Sequence, residues 1–212
     1  MDLSANKRDF NKEANIWDDN PLRVKLANDI SKSILQEIVL LPRMDIMDFG
    51  CGTGLMTIQF RGRVRSITGF DSSEGMLAVF KKKIVEKKLT GIETHYIDLD
   101  KGRRLKGKYH LVVSSMVLHH IKNFQPILNR FYKLLHPSGI LCIADLDFDN
   151  GKFHKTHDGV FHYGFDRGVL SRHFTKAGFK AVRDLTVAQV SKTGKDGIIR
   201  DFSIFLMIGK KE

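Results

Sequence analysis

A glycine-rich segment, D-F-G-C-G-T-G at residues 48–54, constrains the fold of this chain more than any other feature. It follows an apolar run, Met44 to Met47, and it opens a second one, Leu55 to Phe60. This pattern predicts a strand, then a tight loop, then a helix. Because glycine has no side chain, such a loop lets backbone N–H groups come close to a bound ligand. The segment therefore predicts a ligand site at the end of a strand.

The spacing of the glycines narrows the choice of ligand. A dinucleotide site reads G-x-G-x-x-G, whereas here the third glycine comes one residue early and position 55 is Leu. A phosphate-binding loop would end in Gly-Lys-Ser/Thr, which this segment lacks. Asp48 would repel a phosphate, but it would suit a ligand that carries an ammonium group. These features favour the amino-acid end of S-adenosylmethionine.

Three further predicted strands also end in polar residues. An acidic residue about 20 residues past a glycine loop holds the ribose hydroxyls of a nucleoside. Asp71 lies 17 residues after Gly54, which fits any adenosine ligand and alone does not separate NAD from S-adenosylmethionine. Ligands of open α/β sheets bind outside the carboxyl ends of the strands. The predicted strand 66–70 is followed by Asp71, and the predicted strand 92–97 is followed by Asp98-Leu99. The predicted strand 109–113 is followed by the segment 114–120.

Five motifs occur in order over roughly residues 44–145: D-F-G-C-G-T-G, G-F-D-S-S-E-G-M-L, Y-I-D-L-D, S-S-M-V-L-H-H-I and L-L-H-P-S-G-I-L-C-I-A-D. Together they resemble the class I S-adenosylmethionine-dependent methyltransferases, and among them the small, single-domain group that acts on small molecules. The resemblance implies S-adenosylmethionine as the cofactor. It also implies an α/β fold of the Rossmann-like methyltransferase type, a doubly wound, seven-stranded, mostly parallel sheet whose last strand is antiparallel.

Carried over by position, the resemblance implies a set of cofactor contacts. Met76 has an equally good alternative, since a methionine at helical spacing usually packs in a core. The methionine part would face Asp48, Gly50, Cys51, Gly52 and Gly54; the ribose would meet Asp71, Ser72 and Met76; the adenine would meet Asp98 and Leu99; and Ser114 would approach the methionine moiety or its methyl group.

The whole chain of 212 residues suits a single domain. Within it we expect a lid segment and helix over 1–41, a cofactor-binding core over 42–145, and a substrate-side loop with the last strands over 146–212. Asn20 is predicted to cap the first helix, with Pro21 at its first position. Further predicted elements are a helix at 125–135, a turn at 136–139, a strand at 140–144, a helix from Asp166 to Gly178, and strands at 182–190 and 202–208.

Histidines and aromatic residues collect where a methyl acceptor would bind. A histidine after the fourth strand could act as a general base, because its unperturbed pKa of about 6.5 suits neutral pH. His119 is our choice for this role, and helix capping or a buried, hydrogen-bonded histidine is the alternative. We predict that residues 1–20 and 146–165 lie together and enclose an acceptor pocket. Its predicted lining residues are Phe10, Trp17, His119, His120, His154, His157 and Phe161; for Trp17, packing against the first helix is an equal alternative.

The segment after the fifth strand also raises the question of a metal site. Asp145, Asp147 and Asp149 precede three histidines, but the glycine that a calcium loop requires comes one position late, and Thr156 stands where a bidentate Glu belongs. Spacings of three and five between the histidines do not match a known zinc pattern. We therefore predict no metal.

The chain is strongly basic, with a formal net charge of +11. Its basic runs, near residues 81–88 and 101–108, hold no aromatic residue that could stack on a base, so solvated faces are favoured over a nucleic-acid site. No apolar run approaches the roughly 20 residues that span a membrane, and the N-terminus lacks a signal-peptide core, which predicts a cytoplasmic protein without a membrane partner.

The predicted function is the transfer of a methyl group to a small-molecule acceptor. Two alternatives remain open at this point: a tRNA or rRNA methyltransferase that uses the basic surface, and a non-catalytic subunit that binds S-adenosylmethionine. The sequence specifies neither the accepting atom nor the oligomeric state.

Overall fold

The computed structural model describes residues 8–99, 104–154, 156–194 and 197–212. These residues form a sheet of seven strands with helices on both faces. The strands are β1 Asp45–Phe49, β2 Ser66–Asp71, β3 Ile92–Tyr96, β4 Tyr109–Ser115, β5 Leu135–Leu146, β6 Lys180–Thr193 and β7 Ile199–Lys210. The α-helices are α1 Phe10–Glu13, α2 Pro21–Glu37, α3 Glu74–Glu86, α4 Gln125–Leu134 and α5 Arg167–Ala177. Short 3₁₀ helices occupy Ala14–Ile16, Thr57–Phe60 and Leu118–His120.

The strand order in the sheet is β3-β2-β1-β4-β5-β7-β6. Strands β1 to β5 are parallel to one another, whereas β7 is antiparallel to both β5 and β6. The predicted seven-stranded sheet with an antiparallel last strand is confirmed. The chain moves outward from β1 to β3 and then returns to β4 on the other side of β1. This reversal leaves a crevice at the carboxyl ends of β1 and β4, where α/β proteins bind ligands.

The central strands are buried on both faces, as a doubly wound sheet requires. Along β4, Val112 packs in the cluster beneath α4 and α5, while Leu111 and Val113 pack in the cluster beneath α2. Asn20 caps α2 by accepting a hydrogen bond from the backbone N–H of Leu22 at 3.0 Å. None of the helices in the described part of the chain has the length and apolarity needed to cross a membrane.

Two local predictions were wrong. The apolar run 55–60 forms only the four-residue 3₁₀ helix, because a segment that short between the glycine loop and Gly62 cannot propagate an α-helix. The predicted turn at 136–139 lies inside β5, which pairs Leu135 with Tyr109 and Ile140 with Leu111 across a shift in register. Ser138 lies within this irregular part of β5 and has a positive φ of 61°.

Candidate active site

Acidic residues end three strands of the sheet at the same edge. Asp48 lies near the end of β1, Asp71 ends β2 and Asp145 lies near the end of β5. Since these strands are parallel, their carboxyl ends converge on one side of the molecule. The chemistry of the candidate site is built from these residues and from the loops that follow them.

The glycines of the loop after β1 have different roles. Gly50, Gly52 and Gly54 all have positive φ, at 76°, 53° and 81°. A Cβ on Gly50 would lie 2.2 Å from Cγ2 of Val117, and one on Gly54 would lie 2.2 Å from the ring of Phe80. A Cβ on Gly52 would have no atom within 4 Å. The outer two glycines therefore permit close packing, whereas the middle one faces open space beside the loop.

Asp48 is a buried carboxyl group with one unused oxygen. It is 1% exposed, and the hydroxyl of Thr57 donates a hydrogen bond to Oδ2. Oδ1 is buried and has no hydrogen-bond partner in the described part of the chain. Burial, helped by the nearby charge of Asp71, raises the pKa of Asp48 to about 7. An unpartnered buried carboxylate oxygen fits a cationic ligand group, such as the ammonium of an amino acid.

Asp71 ties the glycine loop to β2. The backbone N–H of Gly52 donates to Oδ2 at 2.7 Å, and that of Ser73 donates to Oδ1 at 2.8 Å. Burial raises the pKa of Asp71, although these hydrogen bonds oppose the shift. Each carboxylate oxygen keeps a further lone pair, so the side chain can also accept two hydrogen bonds from ribose hydroxyls.

The other residues predicted to contact the cofactor differ in how accessible they are. Met76 is buried in α3, and the hydroxyl of Ser114 donates to the backbone oxygen of Phe49 at 2.8 Å, which joins β4 to β1. Ser72 and Leu99 are exposed, whereas Cys51 and Asp98 are buried. The structure thus gives Met76 and Ser114 packing and bridging contacts. Their predicted contacts with the cofactor remain predictions.

The N-terminal segment lies across this edge of the sheet. Oδ1 of Asn11 accepts hydrogen bonds from the hydroxyl of Ser73 and the backbone N–H of Gly75, at 2.9 and 2.8 Å. Asp18 accepts a hydrogen bond from the hydroxyl of Thr53 at 2.6 Å and forms an ion pair with Lys83. The segment is therefore fastened to the glycine loop and to the start of α3. Residues 1–7 of the predicted lid lie outside the described residues.

The two aromatic residues of this segment have different neighbours. The ring of Phe10 lies 5.3 Å from that of His120 and 5.9 Å from that of Trp17. Trp17 also carries the guanidinium of Arg23 over its ring at 3.7 Å, so it packs against the first turn of α2. The ring of Phe10 therefore contacts His120, which follows β4, and Trp17 packs between Phe10 and Arg23.

His119 forms a buried pair with Asp145. Nδ1 of His119 lies 2.7 Å from Oδ1 of Asp145, and the two residues are 1% and 0% exposed. The backbone N–H groups of His119 and Leu146 also donate to this carboxylate, at 3.2 and 2.8 Å. Burial alone would raise the pKa of Asp145, but the facing His119 and the backbone donors hold it below its usual range.

Two more histidines surround this pair. The ring of His119 lies 4.1 Å from that of His120 and 5.0 Å from that of His154. Burial, together with the neighbouring His119, lowers the pKa of His120 to about 4 and that of His154 to about 3. Nδ1 of His120 lies 2.6 Å from the backbone oxygen of Gly159, which accepts a hydrogen bond from it. Both rings are therefore neutral near pH 7.

The predicted acceptor residues fall into two groups. Phe10, His119, His120 and His154 are brought together, whereas the ring of His157 packs on Tyr163 at 5.0 Å and Phe161 is 52% exposed. The backbone of Phe161 does reach the site, because its N–H donates to the oxygen of His119 at 3.0 Å. This arrangement puts residues of the N-terminal segment and of the loop after β5 on either side of His120.

Sequence reasoning missed Asp145 as the partner of His119 and considered it only as an oxygen ligand for a metal. The available signal was its position at the end of an apolar strand, which is the position that Asp48 and Asp71 hold in their own strands. It also missed Asn11, Thr57 and Asp18, whose hydrogen bonds join elements that are distant in the sequence.

Comparisons with known proteins agree on one class. A family model of a methyltransferase domain matches residues 46–139. An uncharacterised methyltransferase of Schizosaccharomyces pombe is 34% identical over 135 residues, which cover 57% of this chain and 48% of the relative. A malonyl-[acyl-carrier protein] O-methyltransferase of Priestia megaterium is 26% identical over 188 residues, or 85% of this chain and 64% of the relative. The chain thus spans about half to two thirds of these two relatives.

Solved structures show the same fold. One chain, from the complex between the Trm112 methyltransferase activator and a putative methyltransferase of Haloferax volcanii, superposes with a TM-score of 0.76. The match covers 96% of this chain and 98% of that chain, at 14% sequence identity. At this identity the likeness extends to the fold alone.

Proposed function

We propose that this chain, which is similar to methyltransferases in its family model and its relatives, is a class I S-adenosylmethionine-dependent enzyme that transfers the cofactor's methyl group to a small-molecule acceptor. The observation that carries the proposal is the buried Oδ1 of Asp48, which lacks a partner among the described residues and lies beside a glycine loop. A neutral or anionic ligand would leave this carboxylate oxygen without a cationic partner. The ammonium group of the cofactor's amino-acid end would satisfy it.

The chain's own residues divide the remaining work of binding. Gly52 leaves space beside the loop, and Asp71 would accept hydrogen bonds from the ribose hydroxyls. Asp98 and Leu99 would flank the adenine. The bound cofactor supplies a methyl group that is already activated on a sulfonium. The protein then has to position the acceptor, exclude water and take up a proton where the acceptor carries one.

Two features support a small-molecule acceptor. The N-terminal segment covers the site and brings Phe10 against His120, so the approach to the histidines is narrow. The relative from Priestia megaterium is named for methyl transfer to a malonyl group on an acyl-carrier protein, which is a small acceptor on a carrier. An RNA methyltransferase would instead use the basic residues of α3, of which Lys82 and Lys83 pair with Glu86 and Asp18.

Titration calorimetry tests the proposal directly. We expect S-adenosylmethionine and S-adenosylhomocysteine to bind, and NAD to bind far more weakly. NAD binding tighter than S-adenosylhomocysteine would refute the proposal. Mass spectrometry of ligands that co-purify with the protein would identify candidate acceptors.

Two further measurements separate the alternatives. Affinity for tRNA or rRNA that falls steeply with added salt, together with methylation of that RNA, would favour the nucleic-acid alternative. Cofactor binding without turnover of any acceptor pool would favour a non-catalytic subunit.

A further inference from the structure

We propose that the acceptor is a weakly acidic hydroxyl, of a phenol or an enol, and that its proton passes to His119 as the methyl group is transferred. This inference rests on the proposed methyltransferase function and narrows its substrate class. It follows from the pairing of His119 with Asp145, which orients the imidazole, and from the neutral, ring-lined surroundings of that pair.

The geometry fixes the tautomer of His119. Asp145 is ionised, since its pKa lies below the usual range, and an ionised carboxylate can only accept hydrogen bonds. Nδ1 of His119, 2.7 Å away, must therefore carry the proton. In the neutral imidazole the lone pair is then on Nε2, which makes no hydrogen bond among the described residues. The backbone N–H groups of His119 and Leu146 hold the carboxylate in place, so the imidazole cannot rotate freely.

The groups around Nε2 do not favour an anion. His120 and His154 are neutral, with pKa values lowered to about 4 and about 3. The charge of Arg8 reaches both rings, but its guanidinium is held by Glu13 through two hydrogen bonds, at 2.8 and 2.7 Å. A carboxylate or phosphate acceptor would thus meet imidazoles rather than an available cation.

The other charge near His154 is Lys192. Its ammonium donates to the backbone oxygen of Phe153 at 2.8 Å and lies 3.7 Å from the centre of that ring. The walls nearest the histidines are aromatic, because Phe10 lies 5.3 Å from His120 and Phe153 lies 5.0 Å from His154. These walls suit a flat, uncharged acceptor.

The chemistry balances with these groups alone. The O–H bond breaks as its proton moves to Nε2 of His119, an oxygen lone pair forms the new O–CH₃ bond, and the electron pair of the old S–CH₃ bond stays on sulfur. The imidazolium that results lies beside the carboxylate of Asp145, which stabilises it, and the proton is later released to water. An amine with a free lone pair or an ionised carboxylate would not need a base, and the buried His119–Asp145 pair would then have no catalytic use.

The test compares Asp145→Asn with the wild-type protein on two phenols and two other acceptors. The amide of Asn can donate to Nδ1, which moves the proton of His119 to Nε2 and removes the base. For unsubstituted phenol, with a pKa of about 10, we expect kcat/KM to fall by about 10²–10³-fold. For nitrophenols, which ionise near neutral pH without help, the loss should stay below about tenfold. An alkylamine and a carboxylic acid complete the panel.

Asp147→Asn is the matched control. Asp147 lies two residues further along the chain and is paired with Arg167 at 2.6 Å on the partly exposed surface. It should methylate both phenols at close to the wild-type rate. A structural role of Asp145 would lower activity on both phenols equally, so equal losses would overturn the proposal.

Binding of S-adenosylhomocysteine, measured by calorimetry on every variant, keeps the two levels of inference apart. Wild-type protein that binds it and methylates the amine or the acid, but neither phenol, overturns the hydroxyl proposal and leaves the methyltransferase function intact. Wild-type protein that binds neither S-adenosylmethionine nor S-adenosylhomocysteine overturns the function itself.

Discussion

Replacing Asp48 by Asn should stabilise the protein at pH 8 while weakening its cofactor site. Burial raises the pKa of Asp48 from its ordinary 3.8 to about 7, a difference of about 3 pKa units, or about 4 kcal/mol. A carboxyl group with a raised pKa keeps its proton longer in the folded protein than in the unfolded chain. The folded state is therefore unpenalised below pH 3.8 and loses stability as the pH rises towards 7.

The magnitude depends on what the amide leaves unsatisfied. Asn has no charge to bury, which removes about 4 kcal/mol of penalty at pH 8, and its carbonyl oxygen can still accept the hydrogen bond from Thr57. Its NH₂ group would be a buried donor without a partner, at a cost of about 1–3 kcal/mol. We expect Asp48→Asn to be about 1–3 kcal/mol more stable than wild type at pH 8. The difference between the two proteins should grow by about 3 kcal/mol from pH 5 to pH 8.

Urea unfolding of both proteins without cofactor, at pH 5, 6, 7 and 8, measures this difference. Subtracting one protein from the other cancels the titration of the histidines, which is common to both. Asp45→Asn is the matched control at the opposite end of β1, because Arg65 lowers the pKa of Asp45 to about 2 and its effect should be constant over this range. Affinity for S-adenosylmethionine should fall about 10- to 100-fold in Asp48→Asn. A stability difference that stays flat or shrinks between pH 5 and 8 would refute the reasoning.

Three further predictions concern single residues of the site. Gly52→Ala and Gly62→Ala both place a Cβ in open space at positive φ, so each should lower the free energy of unfolding by about 1–2 kcal/mol. Only Gly52→Ala should weaken the binding of S-adenosylhomocysteine measured by calorimetry. Equal affinity of the two variants would show that the cofactor site has been misplaced. Asp71→Ala should weaken S-adenosylmethionine binding by about 1.5–3 kcal/mol, and unchanged affinity would remove its ribose contact. The neutral His120 and His154 favour the folded state above pH 6.5, and this stabilisation is lost as the pH falls towards their lowered pKa values of about 4 and about 3. His120→Asn and His154→Asn should therefore each reduce the fall of the urea midpoint between pH 6.5 and acid pH. A midpoint that falls as steeply as in the wild-type protein would contradict the buried, neutral state of these histidines.

The sequence predicted the parts of this structure that depend on local pattern. The alternation of strands and helices predicts a parallel sheet, and a parallel sheet brings strand ends together, so Asp48 and Asp71 could be assigned to one edge. Helix α2 was predicted from Asn20 and Pro21 because capping depends on adjacent residues.

The pairing of His119 with Asp145 could not be predicted in the same way. It depends on the alignment of β4 with β5, in which Ser115 lies opposite Ala144, and on the 3₁₀ turn that directs His119 back towards β5. The bulge in β5 was missed for a related reason. His136-Pro137-Ser138-Gly139 has the composition of a turn, but the strand continues through it, because Leu135 before it pairs with β4 and Ile140 after it pairs with both β4 and β7.

The position of β7 has a consequence for how the chain folds during synthesis. Of the seven strands of this sheet, β7 is synthesised last, yet it lies between β5 and β6. Until residues 199–210 emerge, the apolar strand β5 has an open edge, and β6 has no strand in the sheet to pair with. Exposed apolar edges associate with other chains, so nascent chains that stall before Ile199 should be prone to aggregation. Completion of the sheet therefore has to wait until residues 199–210 have been synthesised.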